Sequence, residues 1–185
     1  MKMFYTFILI LILFPSCKND TRVLDFGDFT IEVPKTWKII KQQSIDSYVG
    51  TIAIDERDTI YFDLGWYSNN LDERKPYEIK DNKLYLKNLQ KSTNTTTYFD
   101  YIGEVNSVDT NKYLKNKYSF DTINNRLAKI VTPKIPEDGT TGIYMDSLWE
   151  AGSGVDRFQL NGKNLSRNNH DRLLKAIKTL KFKSK

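Results

Sequence analysis

The sequence has little of the chemistry on which most enzymes depend. Its 185 residues contain one cysteine, Cys17, and one histidine, His170. A single cysteine excludes a disulfide within the chain and a cysteine-based zinc or iron–sulfur site. A single histidine removes the commonest proton shuttle and metal ligand from most catalytic schemes, and we expect His170 to be exposed or to cap a helix. No G-x-S-x-G, Walker or H-E-x-x-H motif occurs. We therefore expect no enzyme activity, no metal and no cofactor.

Carboxylates remain as the one catalytic alternative, because two acids suffice to hydrolyse a glycoside. The acids in or beside predicted strands are Asp46, Asp63, Asp100 and Asp146. Turn and strand-face acids are the ordinary interpretation of such residues. A carboxylate hydrolase is accordingly the third of the functions considered below.

A long hydrophobic run is also lacking. The longest, Phe4 to Phe14, has eleven residues and follows Lys2. As a helix it spans about 16 Å, half of the roughly 30 Å bilayer core. The run is therefore typical of a signal peptide, which we assign to residues 1–16. The alternative to the lipidation discussed next is an ordinary secretory signal followed by an incidental cysteine.

The Ser16-Cys17 junction after this run resembles the lipobox of bacterial lipoproteins, although Phe14 and Pro15 stand where that motif has leucine and a small residue. The resemblance implies cleavage before Cys17 and lipidation of its thiol, which anchors the chain in a membrane. Lys18-Asn19-Asp20 is similar to part of a surface-export tag, and residue 18 is not the aspartate that retains lipoproteins at the inner membrane. We expect an outer-membrane lipoprotein of the cell envelope, in either leaflet.

Charge is unevenly distributed. The formal net charge is +5, and from Arg157 onward there are nine Lys or Arg against one acid, Asp171. Such a basic end can meet anionic lipid or nucleic acid. An exported protein rarely meets nucleic acid, so we interpret this end as a solvated helix face and expect no nucleic-acid partner.

The mature chain is predicted to be a tether at 17–27 and a single domain at 28–185. Period-2 alternation predicts strands at Phe29–Val33 and in a hairpin between Tyr48 and Tyr67, around a solvated tip at 55–58. Further strand candidates are Trp37–Ile40, Lys83–Lys87, Thr97–Ile102, Leu127–Val131, Ile143–Leu148 and Phe158–Leu160. Leu173, Leu174, Ile177 and Leu180 recur at helical spacing, and Asp109–Lys117 is a shorter helix candidate. The pattern predicts an α+β fold, an antiparallel sheet with a C-terminal helix packed on it.

Two resemblances bear on this fold. The opening FTIEVPKTW (Phe29–Trp37) and the closing IKTLKF (Ile177–Phe182) resemble the PsbP-like fold, in which a final helix packs across a sheet. IDSYVGTI (Ile45–Ile52), YFDLGWYS (Tyr61–Ser68), AKIVTPK (Ala128–Lys134) and TTGIYMDSL (Thr140–Leu148) resemble small Bacteroidetes-type lipoproteins of uncharacterised function. The second resemblance implies an envelope address, and PsbP's accessory role implies binding by analogy alone.

One strand supplies the candidate binding residues. Alternation from Ile60 places Ile60, Phe62, Leu64 and Trp66 on the core side. Tyr61, Asp63 and Tyr67 then share the opposite face, and Gly65 leaves a gap for a ligand or another backbone. Either this face binds a ligand or partner, or the terminal helix covers it.

We expect a monomer that binds rather than catalyses. A protein partner in the envelope is the first choice, and a glycan or small ligand is the second. A flat aromatic patch rimmed by polar groups would favour binding, whereas a cleft with two close acids would favour the hydrolase.

Overall fold

The fold is described here from a computed structural model, which describes residues 20–44, 47–151 and 154–183. These residues form β1 (Thr21–Asp25), β2 (Phe29–Pro34), β3 (Lys38–Ser44), β4 (Tyr48–Ala53), β5 (Thr59–Gly65), β6 (Tyr77–Lys80), β7 (Lys83–Asn88), β8 (Tyr98–Glu104), β9 (Asn116–Ile123), β10 (Arg126–Pro133), β11 (Thr140–Ala151), β12 (Gly154–Lys163), α1 (Arg167–Ile177) and β13 (Lys181–Phe182). Short 3₁₀ helices lie at Val105–Ser107 and Thr110–Tyr113.

Three antiparallel sheets account for these strands. The largest has seven strands in the order β3-β4-β5-β12-β11-β10-β9. A second sheet has the order β1-β2-β13, and a third joins β6, β7 and β8. The fold is thus mostly β, with 56% of residues in strands and 11% helical. The predicted α+β, PsbP-like class is therefore wrong.

The α+β prediction was wrong because several strands lack the apolar alternation that marks a strand in sequence. Two strands that were not predicted show this: β6 buries only Tyr77, and β9 buries only its two ends. The predicted helix at Asp109–Lys117 is a 3₁₀ turn that runs directly into β9. Strand β1 also occupies part of the range predicted as a tether, because residues 21–25 pair with β2.

The main core lies between the seven-stranded sheet and the layer formed by β1, β2, β13 and α1. Phe29 of β2 is fully buried, and its ring meets those of Phe62 on β5 and Phe158 on β12 at centroid distances of 5.2 and 4.9 Å. Burying such a side chain contributes about 1.5–3 kcal/mol. We call this face of the large sheet, which carries Ile60, Phe62 and Leu64, the inner face.

Helix α1 closes the inner face. Leu173 and Ile177 are buried in the main core, as the helical spacing predicts. The helix is attached to the turn between β4 and β5 by Asp58, whose carboxylate accepts hydrogen bonds from the Ser166 amide at 2.9 Å and the Asn169 side chain at 2.7 Å. Residues 55–57 of this turn are exposed, as predicted for a solvated hairpin tip, whereas Asp58 is only 5% exposed because it bonds to α1.

Candidate functional site

The opposite, outer face of the seven-stranded sheet is where the candidate site residues lie. Antiparallel pairing sets Tyr61 of β5 beside Asn161 of β12, and Asp63 beside Gln159. These side chains alternate with the buried Phe62 and therefore point away from the core. Helix α1 packs on the inner face, so the interpretation in which it covers Tyr61 and Asp63 is wrong.

A chain segment crosses part of this outer face. We define the crossing segment as residues 66–76, which connect β5 to β6. Local hydrogen bonds shape its bend, because the Asn69 and Asn70 side chains accept from backbone amides two positions later. Leu71, which follows Asn70, has a φ of 61°. Asparagine side chains here replace the ladder bonds that the backbone would make in a sheet.

Polar contacts attach the crossing segment to the sheet. The carboxylate of Glu73 accepts hydrogen bonds from the backbone amides of Lys115 and Asn116, both at 2.7 Å. The Glu73 amide donates to the Tyr118 hydroxyl at 3.1 Å. A carboxylate that receives two amide donors is held by charge-assisted bonds, which are stronger than neutral ones. The end of the segment is therefore fixed next to β9.

Lys129 provides a second attachment. Its ammonium group pairs with Asp72 at 2.8 Å and lies 5.6 and 5.3 Å from the ring centroids of Tyr118 and Tyr144. Cation–π contacts of this kind are worth about 0.5–2 kcal/mol when partly desolvated. The charges of Asp72 and Lys129 are consequently satisfied by each other.

A trough lies on the β5 side of the crossing segment. Its central cavity has a volume of about 680 Å³. The lining residues are Tyr61, Asn69, Leu71, Asp72, Glu73, Arg74, Thr140, Gln159, Asn161 and Lys163. A second cavity of about 290 Å³ shares Tyr61 and Gln159 with it and reaches Asp63. The trough is thus elongated across five strands, from β11 to β3, and lined mainly by polar side chains.

The three predicted site residues do not form one cluster. Tyr61 is 52% exposed at the junction of the two cavities. Asp63 is partly buried beside it, and burial raises the pKa of its carboxyl above the ordinary value. Oδ1 of Asp63 accepts no hydrogen bond from the residues that the structure describes, and the Ser68 hydroxyl donates to the Asp63 backbone carbonyl. The polar side chains of Ser68, Gln159 and Ser47 favour the ionised carboxylate and lower its pKa by less than burial raises it.

Tyr67 lies away from the other two, because β5 ends at Gly65. Trp66 was predicted to be in the core but is 50% exposed, and it stacks on Tyr67 with ring centroids 6.0 Å apart. The gap predicted at Gly65 is occupied, since a Cβ there would lie 2.8 Å from the Ser47 hydroxyl oxygen. The predicted alternation of core and outer-face side chains therefore does not extend to Trp66 and Tyr67.

A separate apolar patch lies at the β9 and β10 end of the outer face. Phe120 and Leu127 are each 68% exposed. They border a hollow of about 340 Å³ together with Tyr144 and the polar residues Asn70, Lys129 and Asp146. We call Phe120, Leu127 and Tyr144 the apolar patch. Sequence reasoning missed it, because β9 was not predicted as a strand and nothing indicated that Phe120 and Leu127 share a face.

The acids considered for hydrolysis do not converge into one site. Asp63 and Asp146 lie on different strands of the large sheet, and Asp100 is in the third sheet, where it accepts from Asn88 at 2.6 Å. Asp46 lies outside the described residues. Within the described ranges, no group of three or more His, Cys, Asp or Glu side chains could hold a metal ion.

The close approach of Asp55 and Asp58 has a structural explanation. Asp55 and Asp58 both accept from the Asn169 amide, at 2.5 and 2.7 Å. Burial opposes ionisation of Asp58, but bonds from Asn169 and Ser166 outweigh it, so its pKa is lowered. His170 lies nearby, 2.7 Å from the Thr141 hydroxyl. Both acids thus accept bonds that attach α1.

Cys17, the predicted site of membrane attachment, lies outside the described residues, which begin at residue 20. Among the helices formed by the described residues, none combines the length and apolarity needed to cross a bilayer. Comparison with known proteins finds no matching family model, no matching curated protein and no matching solved structure.

Proposed function

We propose that the protein is a lipid-anchored lipoprotein of the cell envelope that binds a protein partner through the apolar patch. The observation that supports a binding role is the pair Phe120 and Leu127, each 68% exposed beside a hollow. Exposed apolar clusters rimmed by polar groups mark interaction sites, whereas isolated exposed apolar residues do not. The rim here is formed by Asn70, Lys129 and Asp146.

The patch suits a partner that presents one aromatic or branched aliphatic side chain. The 340 Å³ hollow accepts such a side chain, and Phe120 and Leu127 would flank it. Binding energy at interfaces is concentrated in central anchors of this type, which polar neighbours shield from water. Lys129 is already paired with Asp72, so the rim adds specificity without requiring a charged partner.

Anchoring would restrict where the partner is. The resemblance of Ser16-Cys17 to a lipobox supports lipidation at Cys17, and β1 begins only four residues later, at Thr21. An extended chain covers at most about 3.6 Å per residue, so the domain would be held within about 15 Å of the bilayer surface. A membrane protein, or one that lies close to the membrane, is the expected partner.

The proposed lipid anchor is tested by replacing Cys17 with serine and fractionating cells. Two or three acyl chains on one residue hold a protein durably, whereas none does. The Cys17→Ser variant should accumulate in the soluble fraction, and mass spectrometry of wild-type protein should detect an acylated N-terminal cysteine. A wild-type cysteine without lipid contradicts the anchor.

The proposed binding of a protein partner at the apolar patch is tested by placing a photo-crosslinking residue at position 120 and, as a control, at exposed position 175 on α1. The protein crosslinked only from position 120 is then purified and titrated against wild type, Phe120→Ser, Leu127→Ser and Lys175→Ala. Loss of a buried anchor costs about tenfold or more in affinity. Equal affinity of all four proteins contradicts the assignment of the patch.

A further inference from the structure

We infer that the trough on the outer face is a binding site for acidic oligosaccharides, short chains of sugars that carry carboxylate or sulfate groups. The site is distinct from the apolar patch, because the crossing segment lies between them. It does not depend on the proposed protein partner, and its residues are tested separately.

The floor of the trough can recognise a ligand only through side chains. Its strands, β5, β12 and β11, are internal to the seven-stranded sheet, so their backbone groups are already paired with neighbouring strands. An extended peptide that adds to a sheet needs an unpaired edge. The floor offers none, which argues against a peptide ligand in that mode.

The side chains on the floor suit hydroxyl groups. Gln159 and Asn161 lie two positions apart on β12, and the Asn161 amide donates to the Gln159 carbonyl at 3.3 Å. Each amide therefore keeps further donor and acceptor capacity toward the trough. A sugar hydroxyl is itself both donor and acceptor. Asn161 is only 7% exposed, so its orientation is fixed by packing before any ligand arrives.

Tyr61 adds a flat surface at the centre of the trough. Its ring is half exposed at the junction of the two cavities. An exposed tyrosine ring offers a rigid apolar area with little loss of rotamer entropy on binding, together with a hydroxyl that can bond a ligand. The apolar face of a sugar ring packs against such a surface while its hydroxyls reach the amides.

The charged side chains that line the trough determine whether a ligand should carry positive or negative charge. Three acids line the two cavities of the trough, and one of them, Asp72, is neutralised by Lys129. The other two, Asp63 and Glu73, keep their charge, although Glu73 is engaged by two backbone amides. Three cations line the same cavities, Lys41, Arg74 and Lys163, and none takes part in an ion pair formed by the described residues. The trough therefore has an excess of one positive charge, which a carboxylate or sulfate complements.

The test titrates the mature protein with tetrasaccharides in matched pairs, one acidic and one neutral, drawn from hexuronate and sulfated series. At least one acidic tetrasaccharide should bind at least tenfold more tightly than its neutral counterpart. Arg74→Ala, Lys163→Ala and Gln159→Ala should each weaken that binding by about tenfold, as the loss of a bond to a charged group predicts. Lys163→Arg should retain it.

Control variants separate this site from the rest of the molecule. Lys175→Ala removes an exposed cation on the opposite side of the sheet, and Phe120→Ser alters only the apolar patch, so both should bind saccharide as wild type does. No acidic preference in any pair, or wild-type affinity in both Arg74→Ala and Lys163→Ala, overturns the inference. Tighter binding of an acidic hexapeptide than of every saccharide also overturns it.

Discussion

Alternate side chains of the same strands point to the two faces of the seven-stranded sheet, and the two faces differ in what covers them. The inner face packs Phe62 and Phe158 against Phe29 and is closed by α1. The outer face carries Tyr61, Gln159 and other polar side chains and is crossed by residues 66–76. Stability therefore resides mainly on one face, which leaves the side chains of the other free to be selected for binding.

The substitution with the largest expected effect on stability disrupts the packing of the inner face. Ile177→Asp buries an unpaired charge in the main core, where Ile177 is 1% exposed. Such a substitution costs at least about 4 kcal/mol, so the variant should fail to fold or lose its cooperative thermal transition. Lys175→Ala, two positions away but exposed, should stay within about 0.5 kcal/mol of wild type. Similar melting temperatures for the two variants would show that α1 is placed wrongly.

A second variant breaks the attachment of α1 without touching the apolar core. Asp58→Ala removes the acceptor for the Ser166 amide and the Asn169 side chain. Buried donors left without an acceptor cost about 1–3 kcal/mol, which lowers the melting temperature by about 2–12 °C in a domain of this size. Differential scanning calorimetry measures the change, and exposed Glu56→Ala in the same turn is the control.

The same attachment predicts sensitivity to acid. The pKa of Asp55 is lowered chiefly by the Asp58 backbone amide, and that of Asp58 is lowered by bonds that outweigh its burial. A carboxyl with a lowered folded pKa contributes stability that is present above its ordinary value and is lost as the pH falls below it. Asp58→Ala should therefore destabilise the protein less at pH 3 than at pH 7. A constant difference across this range would contradict the role of the ionised carboxylate.

A third variant tests whether the outer face contributes less to the stability of the fold than the inner face does. Glu73→Ala removes the acceptor for two backbone amides and frees one end of the crossing segment. Because the segment lies partly in solvent, water can replace the lost bonds, and we expect a loss of about 1 kcal/mol. Protease cleavage within residues 66–76 should nevertheless become faster, while cleavage elsewhere does not. Unchanged cleavage would mean that Glu73 does not hold the segment.

The sequence predicts the inner face well and the outer face poorly, for a physical reason. Apolar residues at period 2 in β5 and at helical spacing in α1 reveal which side chains are buried. The trough depends instead on Glu73 reaching Lys115, 42 positions later, and on the pairing of β5 with β12. Alternation in Gln159, Asn161 and Lys163 was the one available signal, since these residues interleave with Phe158 and Leu160. It becomes visible only when the predicted strand is extended to Lys163.

The smallest expected effect concerns Asp63, the one acid of the outer face whose pKa burial raises. A folded pKa above the ordinary value means that the ionised carboxylate costs stability at neutral pH, and that protonation relieves this cost as the pH falls through the raised pKa. Asparagine has the shape of the neutral acid and no charge. Asp63→Asn should therefore raise the melting temperature at pH 7, with the gain shrinking toward zero below the ordinary pKa of aspartate, about 3.9.

Asp146→Asn is the matched control for this effect. Asp146 lies on the same outer face but is exposed, so the same exchange should leave the melting temperature unchanged at both pH values. Thermal melts of the two variants and wild type across this pH range measure the difference directly. A stabilised Asp63→Asn would mean that the outer face retains a partly buried acid at a cost to the fold. A destabilised variant at pH 7 would instead mean that the Asp63 carboxylate supports the fold, and the contrast between the two faces would then not extend to β5.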